Sequence, residues 1–153
     1  MAATFKEPQL DLGLKLCAVA GGHMVVFHKN QNSDSVAKSV ENASRRLLGK
    51  YLKLTHFACH KQSPLIKHVN AALPDAHKMQ QCVIVVSRPE CARREFLEHL
   101  VQLMHIRASF VRKSLFLVVI VSHKDNFMKS VLPLPLLDYF MISVDSDILP
   151  KKT

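Results

Sequence analysis

Residues 81–105, QCVIVVSRPECARREFLEHLVQLMH, leave the fewest ways for this chain to fold. Cys82, Val83, Ile84, Val85 and Val86 form a short, wholly apolar run rich in β-branched side chains. Such a run suits a strand covered on both faces, as in a parallel sheet. Ser87 and Glu90 stand at capping-box spacing, and Pro89 falls where a first helical turn tolerates a missing N–H. Beyond them the apolar residues keep a helical period. Ala92, Phe96, Leu100 and Leu103 share one face, with Cys91, Leu97, Val101 and Met104 beside it. Arg93, Arg94, Glu98 and Gln102 face away. Glu95 lies next to the apolar face, near the C-terminal end of the strand, the edge where open α/β sheets collect ligands.

The strand-then-helix pattern recurs along the chain. Residues 24–27, MVVF, read as a compact buried strand, followed by a polar, turn-forming loop at 28–33. A helix capped by Ser33 or Asp34 runs through Leu48, with Val36, Val40, Ala43 and Leu47 as its apolar stripe and Gly49 as its stop. Residues 52–58 alternate apolar and polar, which predicts a strand nearer an edge. Ser63-Pro64 opens a third element with Leu65, Ile66, Val69, Ala72 and Leu73 inward, and Pro74 ends it. Residues 115–121, LFLVVIV, form the most apolar strand and belong near the sheet centre. Pro133 and Pro135 exclude a regular helix over 131–137, and residues 139–144 read as a last strand. Residues 12–20 fit either a further strand or a short helix.

Five strands alternating with helices imply right-handed βαβ crossovers. The expected fold is α/β: a flavodoxin-like three-layer fold with a central, mostly parallel five-stranded sheet and helices on both faces. Residues 1–22 are expected to be an N-terminal extension, 23–150 the α/β domain and 151–153 a basic tail.

At 153 residues the chain suits one domain with a substantial core. Its net charge of +9 favours acidic partners, but the Lys and Arg residues are scattered rather than clustered. With 7% aromatic residues and no Trp, a stacking platform for single-stranded nucleic acid is disfavoured. Cys17, Cys59, Cys82 and Cys91 form no CxxC pair, a usage that fits a reducing, cytoplasmic setting. Lys6, Glu7 and Asp11 precede any apolar run, unlike a signal peptide, and the seven-residue run 115–121 is far short of a membrane span.

Several chemistries are excluded by what the loops lack. GxGxxG and GxxxxGKS (or its Thr form) are both missing, so dinucleotide or triphosphate binding by those loops is not expected. A phospho-receiver would need acids after the first strand and an Asp after the third; Asp34 comes too late and the third strand ends in Ser87. No GxSxG elbow exists. His56, His60 and His68 crowd around Cys59, but three or four ligands must converge to hold a metal, and none is expected here. Glu95 and His99 form an i,i+4 pair that reads as a helix-surface contact.

The order of elements resembles a TIR domain, the Toll and interleukin-1 receptor signalling module. The resemblance is carried by CVIVVSRPECARREFLEHL, where Val86-Ser87, Pro89, Glu90 and Glu95-Phe96 fit the family's third strand and helix. KSLFLVVIV is similar to its fourth strand, and VLPLPLLDYFMIS to its last segment. The family's first-strand box appears as HMVVFHKN without its acid, the loop after strand two has Pro64 without the usual acid and Gly, and Cys91 replaces the helix-three Trp. The related signalling fold of interleukin-17 receptors is a near alternative.

The resemblance implies an innate-immune-type signalling module that assembles with like domains and presents acidic partners with a basic surface. The implied interaction residues are Cys59, His60, Lys61, Gln62, Ser63, Pro64, Lys67, Arg93 and Arg94. It also implies an alternative, an enzyme that cleaves the nicotinamide–ribose bond of NAD, with Glu95 stabilising an oxocarbenium-like ribose. A third expectation is a basic nucleic-acid-binding α/β domain, which would show a steep salt dependence.

Overall fold

The computed structural model describes residues 6–20, 22–49, 52–62, 64–73, 81–108, 116–129 and 140–145. Helix α1, Lys6–Ala20, leads into strand β1, His23–His28. Helix α2, Ser33–Leu48, and strand β2, Lys53–Ala58, follow. Next come α3, Ile66–Ala72, and β3, Cys82–Ser87. Helix α4, Arg94–Ala108, β4, Phe116–His123, α5, Lys124–Lys129, and β5, Phe140–Asp145, follow among the described residues.

All described strand pairs are parallel, and the five strands lie in the order β2-β3-β4-β1-β5. The expected three-layer class with five strands is what forms. Its strand order is not the flavodoxin order 2-1-3-4-5. The chain leaves β1 for the far edge at β2, walks back through β3 and β4, and adds β5 outside β1. Reversing direction across a sheet forces right-handed crossovers onto the opposite face. Accordingly α1 and α2 cover one face and α3 and α4 the other.

Strand side chains alternate between the two cores. Val83, Val85, Leu117, Val119 and Val121 pack with Leu10, Leu14 and Cys17 of α1 and with Val36, Ala37, Val40 and Ala43 of α2. Ile84, Val86, Val118 and Ile120 pack with Val69 and Ala72 of α3 and with Phe96, Leu97, Leu100 and Met104 of α4. Both β3 and β4 are therefore apolar on both faces and central, as their composition demands. The polar alternation of β2 puts it at an edge. Residues 12–20, open between strand and helix in the sequence, lie in helix α1.

Local signals hold at some ends and fail at others. Gly49 closes α2 at φ 96, a conformation a Cβ disfavours. The cap at the other end is Asn32, not Ser33 or Asp34; its Oδ1 accepts from the Ser35 amide at 3.1 Å. The capping box expected of Ser87 and Glu90 does not form. Ser87 stays in the strand, and Arg88 turns into the left-handed region at φ 54, ψ 60. The residue before a proline is pushed away from α geometry, which is why the helix cannot start there. A 3₁₀ turn, Pro89–Cys91, and an extended Ala92 intervene before α4. On α3, Val69 and Ala72 are buried, while Leu65 and Ile66, expected inward, are exposed.

Candidate functional site

In open parallel sheets, ligands collect at the C-terminal ends of the strands, at the point where neighbouring strands send their connections opposite ways. Here that point lies between β1 and β4. The chain leaves β1 toward β2 and leaves β4 toward β5. His28 and His123, register partners, stand at it with rings 5.7 Å apart and nearly perpendicular.

The loop from β1 to α2 is held by its own side chains. His28 Nε2 lies 2.7 Å from Ser33 Oγ, and both residues are buried. Asn32 occupies one free amide of the α2 N-terminus. Asp34, in the first turn, reaches the loop after β2: its Oδ2 is 3.4 Å from His60 Nε2 and 3.5 Å from Lys61 Nζ. Its other oxygen, Oδ1, is buried and has no hydrogen-bond partner among the described residues.

A second group lies beside this clasp, where β2 and β3 end against α2. Ser87 Oγ is 2.8 Å from His56 Nε2, and His56 Nδ1 is 3.6 Å from Glu41 Oε2. Ser87 is fully buried; the His56 and Glu41 side chains each keep 21% of their surface exposed. Burial holds the His56 pKa below its usual value, outweighing the opposing pull of Glu41 and Asp34. The neutral imidazole is therefore the dominant form at pH 7.

The residues singled out from the sequence scatter around this edge. His60 and Lys61 join the clasp, and Gln62 and Lys67 are exposed. Pro64 is buried. Ser63 lies outside the described residues. Cys59 is buried, and burial, with the nearby Cys91 and Glu90 charges, pushes its thiol up to about 12. Arg93 is exposed and Arg94 pairs with Glu98 at 3.1 Å. Glu95 is exposed in the first turn of α4, and His99, its expected partner, instead lies 2.9 Å from Asn70 Oδ1. The His/Cys group around residue 59 disperses. His56 goes to Ser87, His60 to Asp34, and His68 accepts from the Leu65 amide. Among the described residues no three His, Cys, Asp or Glu side chains converge to hold a metal ion.

Sequence reasoning weighed His56 and Ser87 separately and did not consider Glu41. The signal that joins the first two is register. In the β2–β3 pair Ala58 lies opposite Ser87, which puts His56 and Ser87 on one face as diagonal neighbours.

No family profile matches the sequence, and no curated protein matches it. Solved structures do match the fold. Cdc6p from Pyrobaculum aerophilum superposes with a TM-score of 0.62 at 10% identity, over 93% of this chain and 44% of that one. A RuvB mutant from Thermotoga maritima gives 0.60 at 14% identity, over 94% and 45%. A DNA polymerase III gamma subunit-related protein from Thermotoga maritima gives 0.59 at 8% identity, over 94% and 47%. The chain thus spans less than half the length of each. These neighbours are P-loop NTPase domains of the AAA+ kind, not TIR domains. They overturn the TIR and interleukin-17 receptor resemblance, and with it the innate-immune signalling role and the NAD-cleaving role of Glu95. The physical reason is topological: apolar strands and amphipathic helices in alternation suit either strand order, and the sheet takes 2-3-4-1-5. Among the described basic residues, Arg46, Lys61 and Arg94 reach carboxylates within the chain. No helix among the described residues is long and apolar enough to cross a membrane. The chain shares the three-layer α/β fold of these solved structures.

Proposed function

We propose that this chain is a P-loop-type domain that keeps the scaffold and has given up gripping nucleoside triphosphate through it. The observation that carries this reading is the chemistry of residues 28–35, HKNQNSDS, which run from the end of β1 into the first turn of α2. A working phosphate loop in that place reads GxxxxGKS or GxxxxGKT. Its glycines let backbone amides approach the phosphates, its Lys reaches the β- and γ-oxygens, and its hydroxyl meets Mg²⁺.

Laid over those eight positions, His28 and Ser33 stand for the two glycines, Asp34 for the Lys and Ser35 for the hydroxyl. Only the last is conservative. The His28–Ser33 hydrogen bond fills the space where backbone would meet phosphate. Asp34 reverses the charge, and its buried Oδ1 has no donor to share with an incoming anion. A phosphate there would face a carboxylate in a partly desolvated setting, where like charges repel strongly. Neither β3 nor β4 ends in an acid that could hold Mg²⁺; they end in Ser87 and in Ser122-His123. The residues present do not fit Mg²⁺-triphosphate.

The test is titration with a fluorescent ATP analogue and Mg²⁺. No saturable binding is expected up to millimolar nucleotide. Mg²⁺-dependent binding with Kd below about 0.1 mM, near −5.5 kcal/mol, would overturn the reading. The variant H28G/S33G/D34K restores the motif residues, and gain of binding in it would assign the loss to this loop.

A further inference from the structure

We propose that Ser87, His56 and Glu41 form a serine nucleophile, its general base and the carboxylate that orients the base, able to turn over small carboxylic esters. The proposal stands apart from the phosphate-loop reading. It rests on three side chains from three elements, brought together with the connectivity that nucleophilic catalysis by serine requires: hydroxyl to imidazole, imidazole to acid.

The Ser87–His56 distance of 2.8 Å is within proton-transfer reach. The 3.6 Å from His56 Nδ1 to Glu41 Oε2 lies within ion-pair range and is longer than a hydrogen bond. With the ring proton on Nδ1, facing Glu41, Nε2 is left to accept the Ser87 hydroxyl. The same ring is held neutral at pH 7 by burial, the form a general base needs. Ser87 ends a central buried strand, and the chain then turns sharply through Arg88 in the left-handed region. Backbone strain of this kind concentrates at functional sites.

The reaction is balanced by the three groups and water. Ser87 Oγ bonds to the acyl carbon while its proton passes to His56 Nε2. The ester C–O bond breaks and the leaving alcohol takes that proton. Water then attacks the acyl-serine, gives its proton to Nε2, and the acid departs as Ser87 Oγ is reprotonated. Glu41 stays ionised throughout and is a positioning residue.

Access is the condition this structure sets. Ser87 is fully buried, and the Asp34–His60 and Asp34–Lys61 contacts tie the loop after β2 to the first turn of α2 beside His56. The clasp must part for an ester to reach the hydroxyl. Loosening it therefore raises reactivity rather than lowering it, which a purely structural Ser–His hydrogen bond would not do.

The experiment uses a fluorophosphonate probe and p-nitrophenyl acetate on the purified chain, with circular dichroism to confirm folding. The expected result is labelling that peptide mapping places on Ser87. It should be abolished in Ser87→Ala, slowed about 100-fold or more in His56→Gln, and faster in Asp34→Asn. The wild-type labelling rate should fall as pH drops through a value below 6.5, where His56 protonates. No labelling in a folded Asp34→Asn protein would overturn the proposal. So would labelling that maps elsewhere or persists in Ser87→Ala.

Discussion

The middle of the sheet and its C-terminal rim are built on opposite terms. In β3 and β4, residues 82–86 and 116–121 are apolar and buried on both faces. One residue further, at the rim, the buried groups are polar: Ser87, Ser122, His28 and Ser33. The middle needs only volume and hydrophobicity, which many sequences supply. The rim depends on specific polar pairs, His28 with Ser33 and His56 with Ser87, and leaves Asp34 Oδ1 without a partner among the described residues. On the reading proposed above, the contrast shows how a three-layer α/β scaffold can form whatever chemistry its rim carries. The scaffold is specified in the middle and the chemistry at the rim, and the two can change independently.

Truncation in the middle gives the largest effect. Phe96 is 1% exposed, packs in the core under α4, and meets the Phe57 ring edge-on at 5.4 Å. Phe96→Ala should cost about 3–5 kcal/mol in urea unfolding. A loss under 1 kcal/mol would mean that the middle is not the specified part.

The N-terminal rim gives the next effect, through pH. His23 is 5% exposed, its Nδ1 accepts from the Val118 amide at 3.0 Å, and its ring meets Phe116 edge-on. Burial lowers its pKa from 6.5 to about 4. Between those values the unfolded chain binds a proton that the folded chain refuses, so stability falls as pH falls from 6.5 toward 4. At 1.36 kcal/mol per unit the loss approaches about 3 kcal/mol. His56 is shifted the same way and adds to the slope. His23→Asn should flatten the pH dependence of the urea midpoint; an unchanged slope would place its origin elsewhere.

The same contrast governs what could be read from the chain alone. The five strands, the central place of β4, the edge place of β2 and the Gly49 stop follow from local patterns of apolar and turn residues. The strand order does not, because alternating apolar strands and amphipathic helices carry no label for long-range neighbours. The Ser87–Glu90 capping box does not form because Pro89 bars helical geometry at Arg88, and the Ser87 hydroxyl meets a distant residue, His56, instead. The Ser87–His56–Glu41 group was not legible for a related reason. Its members come from β3, β2 and α2, and only the parallel register and the packing of α2 bring them together.

The smallest effect sharpens the comparison at the rim itself. Asn32 caps α2 with one hydrogen bond to the Ser35 amide and lies in an exposed loop, away from either core. Asn32→Ala should cost about 1 kcal/mol, the usual value of such a cap. It would also free an amide at the helix N-terminus, a group that attracts anions. If Asp34 is what bars phosphate from this end of α2, the variant should still bind no triphosphate. Binding gained by Asn32→Ala alone would mean that the cap, not the Asp34 carboxylate, keeps this loop closed to phosphate.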